Sequence, residues 1–410
     1  MGAPSPPELD DAQRKAARRI VVAQTAGKLG DVLANAKTVL TWLMVSVGAP
    51  AALVGVLVPI RESGSMLPQL WLTGVVQRFS RRKWAYLAGA LGQAIACAAI
   101  AVAAMVLSGV AAGVAIVVAL AFLSLTRALC SIAGKDVLGR TVPKGARGRV
   151  GGRAASLSGL LGALGSVAAM VGMRGDGRTG LYAAVVVAGA LAFALAGVAY
   201  ASVDEPATDP EQTDDRPRAR LSLLWEDPAL RRFVLARALL LGSALGGPLF
   251  VLFGQQASDR LSSLAAFVLA SGAATALSSN AWGRLSDRSG DRAMAWGGVI
   301  ACGAGSVAIA LRLLVDLGTA ATVVWPLLYF AFTVGYSGVR VGRKTYVVDM
   351  AGGDRRTAYV ATSNTAIALV LLGFGAIGAA IQTWSEVAAL GLFVAITAAG
   401  SAMSLRLSRE

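Results

Sequence analysis

Long apolar segments alternate with short polar connections along the whole chain. A helix rises 1.5 Å per residue, so about 20 mostly apolar residues are needed to cross the hydrocarbon layer of a bilayer. Segments of this length without strict alternation predict helices rather than barrel strands. Twelve such segments are predicted, near residues 20–46, 51–73, 84–107, 112–136, 150–173, 180–202, 232–254, 262–282, 293–315, 321–348, 358–381 and 386–405. The pattern therefore predicts an all-α membrane protein with twelve transmembrane helices.

The longest polar connection is SVDEPATDPEQTDDRPRARLS, residues 202–222. Its content of Pro, Asp and Glu is typical of a flexible linker. It divides the twelve predicted helices into six and six. We therefore expect an N-terminal tail at residues 1–19, a six-helix bundle at 20–202, a linker at 203–222 and a second six-helix bundle at 223–410.

Two segments of the first half have counterparts in the second half. TGVVQRFSRRK at residues 73–83 lies 210 positions before GRLSDRSGDRA at 283–293. GKDVLGRTVPKGARGR at 134–149 lies 209 positions before RKTYVVDMAGGDRR at 343–356. Two matches at nearly one offset predict that the two bundles are pseudo-symmetric.

Basic residues are distributed unevenly among the polar connections. The chain has 38 Lys and Arg against 23 Asp and Glu, a formal charge of +15. The basic residues gather in alternate connections, whereas the opposite connections hold little beyond Arg174, Arg178 and Arg260. The positive-inside rule then predicts that both termini are cytoplasmic. Because the charge is dispersed between apolar segments, nucleic acid is not an expected partner.

Composition narrows the function further. Hydrophobic residues make up 56% of the chain and charged residues 15%, and there is no histidine. The absence of histidine excludes histidine proton relays, histidine metal sites and Ser–His catalysis. No nucleotide-binding loop, zinc spacing or nucleophile elbow occurs, so we expect no enzyme, metal or cofactor. The high Ala, Gly and Arg content favours a bacterial inner membrane.

The segment GRLSDRSGDR at 283–292 resembles the signature loop of the major facilitator superfamily, which lies between helices 2 and 3 and again between helices 8 and 9. Gly283 matches the first glycine of that signature, Asp287 the acid, Arg288 the base, Gly290 the second glycine and Arg292 a terminal base. The resemblance implies two six-helix bundles, a central cavity lined by helices 1, 4, 7 and 10 and flanked by helix 2, and transport by alternating access.

The first-half copy of this loop departs from the family pattern. Three family positions are replaced, by Thr73, Gln77 and Ser80. We expect an asymmetric cytoplasmic gate in which Asp287 faces a helix N-terminus and Arg288 pairs with an acid. The gate is predicted to comprise Gly283, Asp287, Arg288, Gly290, Arg78, Arg81, Lys135, Asp136, Lys344 and Asp349. Alternatively, its basic residues only fix the topology.

Polar side chains form stripes on four of the predicted helices. The stripes are Arg61, Glu62, Ser65 and Gln69 on helix 2; Gln24, Lys28, Asp31, Asn35, Thr38 and Trp42 on helix 1; Ser124, Arg127, Ser131 and Lys135 on helix 4; and Thr333, Tyr336, Ser337, Arg340, Arg343 and Lys344 on helix 10. Each Arg, Lys or Asp at the bilayer centre costs about 2.5 to 3.5 kcal/mol, so the stripes are predicted to face water or each other. For Arg153, Arg343, Lys344 and Asp349, which lie near helix ends, snorkelling or pairing in the loops is the favoured interpretation, and solute binding is the alternative. Lys28 and Asp31 can also form an intrahelical pair.

The charges in the predicted cavity are mostly positive. Arg61, Arg127, Arg237 and Arg340 oppose Asp31 and Glu62. Arginine forks bind carboxylate and phosphate groups, so a small organic anion is the expected solute. The predicted ligands are Arg61, Glu62, Ser65, Gln69, Asn35, Arg127, Arg237, Tyr336 and Arg340. Asp31 and Glu62, as the mid-span carboxylates, are the predicted proton carriers.

Two other functions remain open at this stage. Efflux of hydrophobic drugs is weakened because helix 5, GLLGALGSVAAMVG, lacks the Gly-Pro element of the family's antiporter subgroup. Cavity arginines would also repel cationic drugs. A sensor or assembly factor with the same fold has little need for polar stripes on four helices. The expected partners are a small-molecule solute and lipid, and a monomer is expected.

Overall fold

The protein was analysed as a computed structural model. It describes residues 10–143, 146–172, 179–207, 221–258, 260–350 and 355–407. The regular elements within these ranges are helices, which confirms the predicted all-helical class. We refer to residues 10–207 as the first half and to residues 221–407 as the second half.

The helices of the two halves follow one another with short connections. Those of the first half are α1 (Asp11–Leu33), α2 (Val39–Ser46), α3 (Ala51–Gly55), α4 (Leu57–Met66), α5 (Gln69–Gln77), α6 (Lys83–Val106), α7 (Gly109–Thr141), α8 (Arg147–Gly172) and α9 (Thr179–Ala201). Those of the second half are α10 (Leu223–Glu226), α11 (Pro228–Leu239), α12 (Gly242–Leu245), α13 (Gly247–Ala257), α14 (Leu261–Arg288), α15 (Gly290–Leu314), α16 (Ala321–Met350), α17 (Arg355–Gln382) and α18 (Glu386–Ser404).

Within the described ranges, nine helical segments are long and apolar enough to cross a membrane. The predicted spans near 20–46, 51–73 and 150–173 are not among them. The first of these is broken between α1 and α2, and the second consists of the short helices α3, α4 and α5. Polar residues dilute the apolar content of α1 and α8. The nine apolar segments nevertheless identify a multi-pass membrane protein.

Glycines allow α15 and α16 to pack backbone against backbone. A Cβ on Gly297 would lie 2.6 Å from the carbonyl oxygen of Gly335, and one on Gly290 would lie 3.0 Å from that of Gly342. Small residues at such crossings are typical of membrane helices. Gly290 is therefore required by helix packing, whereas a Cβ on Gly283 would meet nothing within 4 Å.

The ends of the described chain identify one side of the molecule, which we call the terminal side. Near the start of α1, Arg19 donates a hydrogen bond to Asp204 at 3.0 Å, just after α9. Tyr359, near the start of α17, donates to Asp227 at the start of α11. The starts of α1, α11 and α17 and the end of α9 therefore lie on the terminal side.

The two halves contact each other on the opposite side. Gln255 of α13 donates to the carbonyl oxygen of Trp42 at 3.1 Å. Deeper in the molecule, Ser63 of α4 donates to the carbonyl oxygen of Ala368 in α17 at 3.0 Å. Gly375 of α17 lies directly against the Pro59 ring of α4. These contacts close the opposite side and continue towards the middle of the molecule.

An aromatic cluster fills this closed side. The ring of Trp42 is 6.2 Å from that of Tyr182 and 6.1 Å from that of Phe267, and Phe267 is 5.5 Å from Tyr329. Trp42 is fully buried. The predicted stripe on helix 1 therefore does not continue to Trp42, because the break between α1 and α2 changes the helical phase.

Candidate functional site

An ion cluster of Asp31, Arg61 and Arg127 lies where α1, α4 and α7 meet. Nη2 of Arg61 donates to Oδ1 of Asp31 at 2.9 Å, and Nη1 of Arg127 donates to the same oxygen. The side chains of Arg61, Asp31 and Arg127 are 13%, 22% and 39% exposed. One carboxylate thus serves two guanidinium groups, and the cluster keeps a net positive charge. The sequence predicted all three residues at the site.

Close helix packing brings these three side chains together. A Cβ on Gly64 would lie 2.9 Å from the Cβ of Ser124, so α4 and α7 approach closely one turn from Arg61 and Arg127. A Cβ on Gly30 would lie 2.8 Å from the ring of Phe193, so α1 presses against α9 beside Asp31. Small residues next to the charged ones therefore set the geometry of the cluster.

Glu62 adds a second carboxylate next to the cluster. It interacts electrostatically with Lys37 and with Arg343 of α16, and also with Arg61 and Arg127. Its strongest charge partners therefore include one from the second half. The role of Glu62 as a solute ligand and proton carrier stays a prediction.

The break between α1 and α2 directs Lys37 across to the second half. Oδ1 of Asn35 accepts a hydrogen bond from the backbone N–H of Lys37 at 2.8 Å, which fixes the turn. Nζ of Lys37 lies 3.6 Å from the centroid of the Tyr336 ring, and Cζ of Arg340 lies 6.0 Å from the same centroid. The Asn35 side chain, predicted as a solute ligand, thus holds a turn, and Lys37 forms a cation–π contact between the halves.

Arg237 is buried in the second half without an acidic hydrogen-bond partner. It is 6% exposed and donates to Oγ of Ser363 at 2.6 Å and to Oδ1 of Asn364 at 2.9 Å, both on α17. Its Nε is buried and has no partner among the described groups. Arg237 also interacts electrostatically with Glu62. Its hydrogen bonds orient the guanidinium group, and both of them go to neutral oxygen atoms.

The other predicted solute ligands are Ser65, Gln69, Tyr336 and Arg340. Oγ of Ser65 donates to the carbonyl oxygen of Glu62 at 2.8 Å, within its own helix. The side chain of Gln69 lies outside the described residues. Tyr336 and Arg340 are partly exposed at the cleft. The assignment of these residues as solute ligands stays a prediction.

Most residues of the predicted gate are at the solvent-exposed surface of the terminal side. The exposed members are Asp287, Arg288, Arg78, Arg81, Lys135 and Lys344. Asp136 lies 3.9 Å from Nε of Arg82, an ion pair within the first half. The side chain of Asp349 lies outside the described residues. The gate also stays a prediction.

A carboxylate at the start of α6 was missed by the sequence interpretation. Oε2 of Glu205 accepts a hydrogen bond from the backbone N–H of Lys83 at 2.8 Å, and Nζ of Lys83 donates to the carbonyl oxygen of Val203 at 2.8 Å. Glu205 is 4% exposed. Residues 203–205, which the sequence assigns to the linker, are thus packed against the first half. An acid near a helix N-terminus is favoured by the helix dipole, but sequence alone did not show which helix it would meet.

Replacing Glu205 with alanine is expected to lower the free energy of unfolding by about 1–2 kcal/mol, because the N–H at the start of α6 loses its acceptor. Denaturant unfolding of the purified protein measures this change. Glu226→Ala is the matched control, since Glu226 is an exposed carboxylate on α10. Equal stability of the two variants would show that the cap contributes nothing.

Together these features define a multi-pass helical membrane protein in which charged side chains from both halves of the chain lie near one another. The profile of the Major Facilitator Superfamily matches residues 32–375, and the chain belongs to this superfamily. A search of curated protein sequences returns no match.

Solved structures show the same fold at low identity. A nucleoside transporter aligns with a TM-score of 0.65 and 12% identity, covering 98% of this chain and 99% of the other. A bacterial homologue of the iron transporter ferroportin aligns in its inward-facing state with a TM-score of 0.68 and 13% identity, covering 98% of this chain and 100% of the other. The outward-facing state gives 0.58 and 15% at the same coverage of both chains. The superfamily and these structures indicate a transporter rather than an enzyme.

Proposed function

We propose that this protein is a secondary active transporter that moves a small organic anion across the membrane by alternating access. The moving parts are two pseudo-symmetric bundles of six transmembrane helices. In the first bundle, α1 with α2 and α3 with α4 and α5 each form one broken span. In the second, α11 to α13 form one span. We also propose that the protein works as a monomer in a bacterial inner membrane.

In this proposal the terminal side is cytoplasmic and the structure is inward-facing. The positive-inside rule supports the orientation. The contacts of Gln255 with Trp42 and of Gly375 with Pro59 close the opposite side. The higher TM-score with the inward-facing homologue supports the same state.

The observation that carries the proposed anion specificity is that the arginines outnumber the carboxylates beside them. Arg61 and Arg127 share a single carboxylate, and Arg237 donates to neutral side chains. Guanidinium groups that are oriented but not neutralised are suited to bind carboxylate or phosphate groups bidentately. A cationic solute would be repelled from the same region.

Asp31 and Glu62 are the proposed proton carriers. Protonation of Asp31 would remove the negative charge that Arg61 and Arg127 share, and both arginines would then turn to the charged solute. Release of the solute would allow Asp31 to reclaim them and lose its proton. This exchange couples anion and proton movement without separate sites.

Uptake into proteoliposomes tests the function. With a pH gradient, uptake of a labelled anionic metabolite is expected and should be inhibited by other anions, with little inhibition by neutral or cationic solutes. Glu62→Gln is expected to reduce gradient-driven uptake at least tenfold while leaving exchange of solute at equal pH. If neutral or cationic solutes compete better than anions, anion transport is wrong. If Glu62→Gln and Asp31→Asn both keep gradient-driven uptake, these carboxylates do not carry the proton.

A further inference from the structure

We infer that the solute carries at least two negative charges and bridges the two halves, with basic side chains of each half binding one charged group. This inference rests on the proposed function and specifies the class of its solute. It follows from the number and the distribution of charges in the cleft, rather than from any single side chain.

Basic side chains outnumber acidic ones in the cleft on both sides. The first half contributes four that are at least partly buried, namely Lys28, Lys37, Arg61 and Arg127. The second half contributes three, namely Arg237, Arg340 and Arg343. Against these seven stand the carboxylates of Asp31 and Glu62, so the described side chains of this set carry a formal excess of five positive charges.

These charges belong to one electrostatic field that extends across both halves. Nζ of Lys37, from the first half, lies 3.6 Å from the centroid of the Tyr336 ring, and Cζ of Arg340, from the second half, lies 6.0 Å from the same centroid. Lys28 of α1 also lies within electrostatic range of Arg340 and of Asp31. Arg343 interacts with Glu62 and with Arg237. The interactions between like charges of the two halves are unfavourable, because burial reduces the screening by water.

The two halves differ in how far their own acids neutralise them. Both carboxylates come from the first half, where they offset two of four basic groups. The second half supplies three basic groups and no carboxylate to this set. A monoanion offsets one of the two excess charges of the first half or one of the three of the second half, so both halves stay positive and continue to repel each other. An anion with two or more charged groups can contact the Arg61 and Arg127 guanidinium groups and the second-half arginines together.

Bridging of this kind also explains how solute binding could drive closure. Without solute, Arg340 of the second half repels Lys28 and Lys37 of the first half. This repulsion opposes the approach of the two halves on the terminal side. The exposed Lys135 and Lys344, which interact with each other, add to this repulsion at the mouth of the cleft. A multivalent anion that lies between the basic groups of the two halves lowers this repulsion more than a monoanion does, so the terminal side closes around it.

Titration of the purified full-length protein with a charge series tests the inference. Butanoate, succinate and tricarballylate carry one, two and three carboxylates on short chains, and thermal unfolding reports binding of each. We expect the dissociation constant of succinate to be at least tenfold lower than that of butanoate, and that of tricarballylate to be lower still. Arg237→Gln is expected to reduce the ratio between butanoate and succinate to less than threefold.

Further variants keep the test decisive. The Arg340 side chain is only partly buried, so the Arg340→Gln variant should fold even if Arg237→Gln does not. Arg340→Gln is also expected to reduce the ratio of the butanoate and succinate dissociation constants. Arg231→Gln removes an exposed charge from α11, the helix of Arg237, and should leave the ratio unchanged. Equal binding of butanoate and succinate would overturn the inference but leave anion transport standing. Stabilisation by neutral or cationic solutes alone, or by none of the three anions, would overturn the proposed function itself.

Discussion

Replacing Asp31 with asparagine is expected to abolish transport and to lower the free energy of unfolding by about 3–5 kcal/mol. The variant leaves Arg61 and Arg127 facing each other without the carboxylate oxygen that accepts from both. Removing one partner of a buried ion pair has an effect of this size, because the remaining charge is poorly hydrated. The Arg61 side chain is only 13% exposed, so water can compensate little of the loss. Denaturant unfolding in mixed micelles and uptake into proteoliposomes measure the two effects.

A double variant separates two causes of the lower stability: the repulsion between the two unpaired arginines and the loss of the Asp31 carboxylate itself. Asp31→Asn combined with Arg127→Gln removes one cation together with the carboxylate, so it should be more stable than Asp31→Asn alone. Transport should stay absent in both. Asp316→Asn, in the described connection after α15, removes an exposed carboxylate and should change neither quantity. An Asp31→Asn protein that unfolds within about 0.5 kcal/mol of the parent, a limit set by typical surface substitutions, would show that the cluster is hydrated and not a structural centre.

The ion cluster was predictable because charge and depth together left few alternatives. Arg61 and Arg127 lie in the middle of predicted spans, where exposure to lipid is unfavourable by about 2.5 to 3.5 kcal/mol each. Periodicity placed Asp31 on the polar stripe of helix 1. Depth and helical phase selected the polar faces of the three helices, and the resemblance to the superfamily implied that these faces line one cavity.

Contacts between distant helices were not predictable in the same way. The break between α1 and α2 occurs at ANAKT, residues 34–38, without proline or glycine. It is fixed by the Asn35 side chain and by burial of Trp42 in the aromatic cluster, and neither leaves a periodic signal. Ser363 and Asn364 show as a short polar group within an apolar span, but only the packing of α17 on α11 reveals that they bind Arg237.

The strength of closure on the side opposite the termini depends on a glycine. Replacing Gly375 with alanine is expected to shift the equilibrium between closed and open forms of that side by about tenfold or more towards the open form. The new Cβ would overlap the Pro59 ring of α4, with 2.6 Å to the Cβ of Pro59. Overpacking of this kind typically destabilises the packed state by about 1–3 kcal/mol. Because Pro59 and Gly375 belong to different halves, the strain is relieved when the halves separate, and the fold itself need not be lost.

The chain offers a matched control two residues away. Gly373 lies on the same helix, but a Cβ there would meet nothing within 4 Å, so Gly373→Ala should leave the equilibrium unchanged. A Gln255→Cys reporter, placed at the buried contact with Trp42, measures opening through its reaction with a membrane-impermeant maleimide added to that side. The reaction should be about tenfold faster with Gly375→Ala than with Gly373→Ala, since maleimide reacts only with the open form. Equal rates would show that the helices adjust locally and that the contact of Pro59 with Gly375 does not control closure. A faster reaction accompanied by slower uptake would show that the same contact also sets the population of the inward-facing state that transport requires.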